Sequence, residues 1–497
     1  MIIFSTNIEN NIPDIQPLIK AFYPGEEVLS DREISEDVSG EAMRIRVEFP
    51  EDVFFPVRIS VNGNWSEELP VKGETNASGL DSSDRVAIRN CGKRLLYKVL
   101  ARESGRELPW GVLTGIRPTR IAQTRLKKGI QMAEAQRFMR ESYYVSEKKA
   151  RLATEIAQRE LDIIAPIDYE EGYSLYIGIP FCPTTCLYCS FASNPISAFA
   201  GTGTIDGYLD AVEKELDFTV ACMEGRNPDS VYIGGGTPTA ISASEMDRLL
   251  TMLDERFDMS AVAEFTVESG RPDSISRDKL EVMKAHGVGR ISINPQTFSD
   301  KTLKLIGRHH TVQQTIEAYE LARVVGFDNI NMDLILGLPG ESVSDVEHTL
   351  SEVKRLKPDS LTVHSLAIKR ASRLSEWMKE NDTEFINTDS MMDMCAETAS
   401  ELGLLPYYLY RQKNMAGNFE NVGYAAEGKA GLYNILMMEE VQTIVACGAG
   451  TVTKRVFGDG HIERCDDVKD VGLYIEKIDE MIERKRILFS DEREIDS

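Results

Sequence analysis

The sequence predicts an α/β protein organised around a parallel sheet, preceded by a smaller α/β segment and followed by a mixed one. Three observations carry this expectation. Between residues 174 and 366, six short apolar runs alternate with amphipathic helical stretches, the pattern of β/α units in series. The conspicuous Gly- and Cys-rich motifs fall just after those runs, where parallel sheets place their chemistry. A chain of 497 residues, at about 150 residues per domain, has room for three domains.

Taken in order, the period-2 alternation of Met43 to Phe49 and Phe54 to Asn62 predicts strands, and Arg85 to Arg102 has helical spacing. The string PWGVLTGIRPTR, residues 109–120, reads as an ordered loop. A helical stretch from Gln131 to Ile164 leads through Pro166 and the acidic patch Asp168 to Glu171. The expected domains are therefore 1–166, 167–402 and 403–497. The six runs of the middle segment are Ser174–Pro180, Ser230–Ile233, Glu264–Glu268, Gly289–Asn294, Asn329–Leu336 and Ser360–Leu366. The last segment holds an aromatic and basic stretch, a Gly-rich strand end and a charged helix.

Composition narrows the functional classes. The chain is 42% apolar and 27% charged, which suits a soluble globular protein. With 80 acidic and 56 basic side chains the net charge is −24, so the long-range field repels nucleic acids and anionic membranes. No basic stretch precedes an apolar core near Met1, so no secretory signal is expected and the cytoplasm is the expected location. Ser174 to Ile205 carries no charge, but Pro180, Pro183 and Pro195 break any membrane-spanning helix. That stretch needs another explanation.

Of the eight cysteines, Cys182, Cys186 and Cys189 stand together after the first apolar run of the middle segment. Thiolates suit zinc or iron-sulfur clusters. A structural zinc site wants four ligands, and neither a His nor a fourth Cys lies nearby in sequence. Three thiolates on a 4Fe-4S cubane leave one iron open. Such an iron can bind an amino-acid headgroup and pass an electron to the sulfonium of S-adenosylmethionine, releasing a 5′-deoxyadenosyl radical. Packing alone gives no reason for this spacing with Pro183 and Tyr188 inside it.

The string SLYIGIPFCPTTCLYCSF around these cysteines resembles the radical S-adenosylmethionine enzymes, and within them the oxygen-independent coproporphyrinogen III dehydrogenase (oxidase) family. The resemblance covers about Gly172 to Thr453. With PWGVLTGIRPTR and YYLYRQKNMAGNFENVGY included, the whole chain looks most like its longer, HemZ-type branch. It implies a partial (β/α)6 barrel with flanking domains, a 4Fe-4S cluster on Cys182, Cys186 and Cys189, and two bound adenosylmethionines. It further implies a tetrapyrrole substrate, a reduced flavodoxin or ferredoxin type electron donor and an electron acceptor; a monomer is expected, and the charge balance argues that it engages neither nucleic acid nor membrane.

Other residues acquire roles in that light. Gly234 to Thr239 follows the second run, where bare backbone lets a ligand approach; alone this Gly triplet reads equally as a plain turn. The resemblance makes Gly235 a contact of the cluster-bound adenosylmethionine, and Gly236 and Thr237 contacts of a second. Glu268 is placed to accept hydrogen bonds from ribose hydroxyls, the alternative being a salt bridge to Arg271. Gln296, Arg308 and Asp333 match family positions that hold the second adenosylmethionine. Tyr176 fits a position beside the cofactor and is counted with the cysteines as catalytic; Tyr188 and Val452 complete the cofactor set. Two departures stand out: Gly178 where the family usually has His, and Phe191 where a further Cys is usual.

Tyr407, Tyr408 and Tyr410 with Arg411 and Lys413 combine flat apolar faces with cations, which suits a tetrapyrrole with anionic propionates; it would also suit stacked bases, or a plain interdomain strand. Arg308, Arg411 and Lys413 are the candidate carboxylate contacts. The expected reaction is oxygen-independent oxidative decarboxylation of coproporphyrinogen III propionates to vinyl groups. A haem-binding or haem-delivery protein on the same barrel is the alternative from another class. A radical RNA-modifying enzyme would need a basic appended domain, which the charge balance opposes.

Overall fold

A computed structural model of the chain describes residues 1–33, 42–75, 82–115, 117–191, 193–367, 373–381, 387–412, 419–458 and 460–490. The chain divides into two compact units. The first comprises Met1–Leu161 with Leu409–Asn421, and the second Asp162–Tyr408 with Val422–Ser497.

The first unit holds β1 (Ile2–Thr6), α1 (Ile12–Phe22), β2 (Val28–Ser30), β3 (Met43–Glu48), β4 (Val57–Val61), β5 (Asn64–Glu68), α2 (Asp84–Ser104), α3 (Thr119–Lys127), α4 (Met132–Tyr143) and α5 (Glu147–Ile164). Its five-stranded sheet has the order β2-β1-β3-β4-β5. Alternation sets the faces: Ile45, Val47, Val57, Ile59 and Val61 are buried while Arg44, Arg46 and Arg58 are exposed. The helix expected across Gln131–Ile164 is two helices, because Tyr144 adopts a left-handed conformation, φ 56°, at the end of α4.

In the second unit the six expected runs are all strands. They are β6 (Tyr173–Ile179), β9 (Ser230–Gly235), β10 (Glu264–Glu268), β11 (Arg290–Ser292), β12 (Ile330–Leu336) and β13 (Ser360–Ser365); β7 (Phe181–Cys182) and β8 (Asn194–Pro195) form a small separate ladder in the cysteine loop. The six run parallel in the order β6, β9, β10, β11, β12, β13, each beside its predecessor. The intervening helices are α6 (Thr204–Cys222), α7 (Ala243–Asp254), α8 (Arg277–Ala285), α9 (Asp300–Leu305), α10 (Val312–Val325) and α11 (Val343–Leu356). Side-chain capping boxes start α7, from Ser242 and Glu245, and α10, from Thr311 and Gln314. This is the partial (β/α)6 barrel. Leu175, Ile177, Val231, Ile233, Val267, Ile291 and Ile293 are buried on one face of the strands. The other face carries Tyr176, Gly178, Tyr232, Gly234, Glu268, Ser292, Asn331 and Asp333.

Beyond these lie α12 (Leu374–Asn381), α13 (Asp389–Glu401), β14 (Leu405–Tyr410), β15 (Asn421–Ala425), α14 (Leu432–Glu439), β16 (Thr443–Cys447), β17 (Val452–Val456), β18 (Ile462–Asp466), α15 (Val471–Glu476) and α16 (Ile478–Phe489). Residues 403–497, expected as a separate domain, do not form a unit of their own. The reason is strand pairing: β15 runs antiparallel on β13, while β16 pairs in parallel with β6 and carries β17 and β18. With β14 beside β15, the sheet thereby reaches eleven strands. α14 closes the amino-terminal end of the barrel, its first amides, of Leu432 and Tyr433, donating to the Glu264 carboxylate at 2.5 and 3.3 Å. Among the described residues no helix is long and apolar enough to cross a membrane.

Candidate active site at the carboxyl ends of the strands

The cysteine loop leaves β6 at Pro180 and is pinned by backbone bonds from several directions. Gly236 N donates to Ile179 O at 2.8 Å and Thr237 N to Phe181 O at 2.7 Å; Asn194 N closes the loop on Pro180 O at 2.8 Å. On its far side Leu187 N donates to Ile306 O and Leu187 O accepts from Leu374 N. Leu187 and Tyr188 pack there against Ile306, Ile335, Leu338, Leu366 and Leu374. A loop whose regular structure is limited to the short β7–β8 ladder is thus held by the ends of two neighbouring strands and an apolar cluster.

All three cysteines are free thiols, Cys182 buried and Cys186 and Cys189 partly exposed. Two sulfurs already receive donors: Thr237 Oγ1 lies 3.4 Å from Cys182 Sγ, and Arg271 Nη1 lies 3.7 Å from Cys186 Sγ. Burial, reinforced by the neighbouring Cys189 and Cys186, pushes the Cys182 thiol up to about 11. It therefore keeps its proton until a metal displaces it. Among the described residues no three His, Cys, Asp or Glu side chains converge on a single metal ion. In a cubane each thiolate binds its own iron, so convergence on one point is not required, and three thiols with donors aimed at sulfur fit that group.

Beside the cysteines the backbone is stripped of side chains for a reason. A Cβ at Gly236 would lie 2.6 Å from Phe181 O, 2.8 Å from Ile179 O and 3.1 Å from Cys182 Sγ. Gly235 has φ 103°, which only glycine adopts at low cost. Glu268 ends β10 at the same level and accepts a hydrogen bond from the Tyr232 hydroxyl. Desolvation, outweighing that bond, pushes its carboxyl up to about 7. The alternative expected for Glu268, a salt bridge to Arg271, is not made: Arg271 is held by Asp273 at 2.6 Å. Tyr232 and Tyr433 stack on each other with ring centroids 4.5 Å apart, and Tyr176 lies beside both, 6.1 and 6.0 Å away.

Further round the mouth, Gln296 sits at φ 64°, a conformation rare outside glycine. Its amide donates to Asp333 O and its carbonyl accepts from Ile335 N, which locks the strained residue against β12. Arg308 is buried and donates to Gly270 O at 2.7 Å and to the Tyr188 hydroxyl at 3.3 Å. Asp333 receives Asn331 Nδ2 at 2.7 Å and stands 3.7 Å from His364. Burial raises its pKa, but His364 and these hydrogen bonds prevail and hold it below the ordinary carboxylate range. Several buried atoms here have no hydrogen-bond partner among the described residues: Ser292 Oγ, Asn294 Oδ1, Gln296 Oε1 and Arg308 Nε. Unsatisfied donors and acceptors at the open end of a barrel are what a polar ligand would complete, and S-adenosylmethionine has the amino, carboxylate and hydroxyl groups to do so. Val452 opens β17, after the turn of Gly448 to Thr451 that packs on Gly178.

The aromatic and basic stretch behaves differently from its expectation. Tyr407 is buried, its hydroxyl receiving Asn434 Nδ2 at 3.1 Å, and the ring of Tyr408 lies over Gly423. Both rings are committed to packing and present no open platform. Arg411, expected at a substrate carboxylate, is buried in the first unit, where it donates to Leu113 O at 2.5 Å near the Trp110 ring. The physical reason is local: Trp110, Lys149 and Glu420 form a buried polar cluster in which Glu420 accepts from Trp110 Nε1 at 2.8 Å and pairs with Lys149 at 2.5 Å. Lys413 lies outside the described residues. Sequence reasoning missed Tyr433, which no motif marks, and weighed Arg271 only as a partner of Glu268.

Comparison with known proteins agrees with this geometry. Residues 176–353 match the model of the radical SAM superfamily. The chain is 39% identical to the oxygen-independent coproporphyrinogen-III oxidase-like protein HemZ of Bacillus subtilis, over 84% of this chain and 87% of that protein. The heme chaperone HemW of Bacillus subtilis is 37% identical over 39% of this chain and 51% of its own length. The structure of coproporphyrinogen III oxidase (HemN) from Escherichia coli superposes with a TM-score of 0.51 at 25% identity, covering 65% of this chain and 73% of that one. The chain belongs to the radical SAM superfamily and to its group of HemZ-type, coproporphyrinogen oxidase-like proteins, a family membership that implies a 4Fe-4S cluster and S-adenosylmethionine.

Proposed function

We propose that this protein carries out the oxygen-independent oxidative decarboxylation of coproporphyrinogen III propionates to vinyl groups, giving protoporphyrinogen IX in the cytoplasm: a flavodoxin or ferredoxin type donor supplies one electron per adenosylmethionine consumed, and each propionate, having lost its β hydrogen, releases carbon dioxide and passes one electron to an external acceptor. The observation that carries the reading is the junction of the three-cysteine loop, the bare Gly235–Gly236 backbone and Glu268 at the ends of consecutive strands, beside a second row of polar groups. When bound, the cluster and adenosylmethionine supply a carbon radical able to take the unactivated β hydrogen of a propionate, which no general base removes at useful cost.

The chain's own residues do the aiming. Cys182, Cys186 and Cys189 hold the cluster on a loop fixed by backbone bonds. Gly235 and Gly236 let the methionine portion lie against main chain, and the Glu268 carboxylate accepts the ribose hydroxyls. Gln296 and Arg308, with their open polar atoms, and the ionised Asp333 hold a second adenosylmethionine. The Tyr176, Tyr232 and Tyr433 rings line the barrel below and exclude water from the reacting carbon.

A second reading, a haem-binding or haem-delivery protein, is favoured by one feature: Gly178 offers no imidazole to a substrate. The two separate in one anaerobic experiment on the reconstituted full-length chain, supplied with coproporphyrinogen III, reductant, an electron acceptor and adenosylmethionine. Vinyl-bearing porphyrinogen and 5′-deoxyadenosine are expected together, and the Cys186→Ala variant yields neither. Slow adenosylmethionine cleavage without vinyl product, accompanied by retained haem, overturns the enzymatic reading in favour of the second.

A further inference from the structure

Arg271 lies in the loop after β10, 4% exposed, its backbone carbonyl held by Ser274 Oγ at 2.7 Å. Every edge of its guanidinium is engaged. Nε and Nη2 clamp the Asp273 carboxylate at 2.9 and 2.6 Å, the bidentate geometry that fixes a guanidinium plane. Nη1 turns the other way, to Thr184 Oγ1 at 3.0 Å, Thr184 O at 3.3 Å and Cys186 Sγ at 3.7 Å. A carboxylate thus orients a cation onto the cysteine loop and onto one of its sulfurs.

We infer that Arg271, aimed by Asp273, is a positioning residue that raises the reduction potential of the cluster held by Cys182, Cys186 and Cys189. The inference rests on those cysteines binding a 4Fe-4S cubane. Hydrogen bonds to ligand sulfur and nearby positive charge both favour the electron-richer state of an iron-sulfur cluster. A guanidinium is never deprotonated in a protein, so this bias is present at every working pH. Asp273 tempers it, because its negative charge lies on the far edge of the same plane. Arg308 and His310 flank the pair: His310 stands 4.0 Å from Asp273, and burial together with Arg308 holds the imidazole neutral, down at about 3. The pair therefore acts as a fixed dipole whose positive end faces the sulfur.

The test is an EPR-monitored redox titration of the anaerobically reconstituted full-length chain, with iron and sulfide measured first. Arg271→Gln should lower the midpoint by a tenfold change in the reduction equilibrium, about 59 mV for a one-electron couple. Arg271→Lys, which keeps the charge and loses the fork, should shift it down by less. Asp273→Asn should move it up. If Arg271→Gln fails to retain iron, Asp273→Asn decides alone: an upward shift supports the inference and an unchanged midpoint overturns it. Midpoints that stay at the unaltered value in both Arg271→Gln and Asp273→Asn overturn it while leaving the functional reading intact. A chain that holds no cubane at all overturns both.

Discussion

The methyl group of Thr451 occupies the space that a side chain at Gly178 would need: a Cβ there would lie 2.5 Å from Thr451 Cγ2. The Thr451 hydroxyl is fixed by Gly448 O at 2.8 Å and Asp467 at 2.9 Å, so the methyl cannot swing away. Gly178→Ala should destabilise the protein by about 1–3 kcal/mol, as overpacking in a tight core does. Thr451→Ser removes the methyl and keeps the hydroxyl, and the double variant should recover most of that loss. Chemical denaturation of the four proteins of this cycle measures the coupling; additive effects would contradict the steric account.

Gly236 is confined more tightly still, between two carbonyl oxygens and a cysteine sulfur. Gly236→Ala should leave the strand scaffold folded but displace the Cys182 end of the loop. Iron content after anaerobic reconstitution should fall steeply, with adenosylmethionine affinity at least about tenfold weaker. Far-UV circular dichroism should stay unchanged.

The raised pKa of Glu268, about 7, gives a pH dependence of known sign. The folded state holds this proton more tightly than the unfolded chain, so the contribution to stability is full below the ordinary carboxylate range and is lost as pH rises through about 7. Ligand binding runs the other way. Ribose hydroxyls are donors and need the ionised acceptor, so adenosylmethionine affinity should increase as pH rises through that value. In Glu268→Gln this increment should vanish, as titration calorimetry across the range can show.

Lys485 of α16 is fully buried and pairs with both Glu215 and Asp467, at 2.9 Å to the latter, while donating to Ala446 O. Glu215 in turn receives Gly448 N at 2.7 Å and the Tyr474 hydroxyl. Lys485→Met strands two buried carboxylates and should cost about 3–5 kcal/mol. Burial and the adjacent Glu215 already push Asp467 up to about 7; without the cation the Asp467 carboxyl rises further. The deficit should therefore shrink as pH is lowered and protons replace the lost charge, which thermal unfolding at acidic and neutral pH will reveal.

The barrel was legible because each of its strands is buried and reads as a short apolar run, and because its chemistry follows those runs directly. Cys182, Gly235 and Glu268 could be assigned to strand ends from spacing alone. What lay beyond reach depends on pairing across long separations. Nothing in the local pattern of 443–447 says that β16 extends the sheet beside β6, or that Tyr433 enters the barrel from its closed end. The aromatic stretch at 407–411 misled for a related reason. Tyr and Arg side chains look alike in sequence whether they face a ligand or a buried carbonyl such as that of Leu113.

The buried pairing of Lys149 with Glu420 joins residues 271 positions apart, with nearly all of the barrel encoded between them. On the ribosome, Lys149 and Trp110 emerge long before the anion they share, Glu420, exists. At about 5–20 residues per second the wait is about 14–54 s. During that interval the first unit has an uncompensated buried ammonium and an unfilled seam, so a nascent chain released early, or cut just after α5, should be a client for chaperones and proteases rather than a finished module.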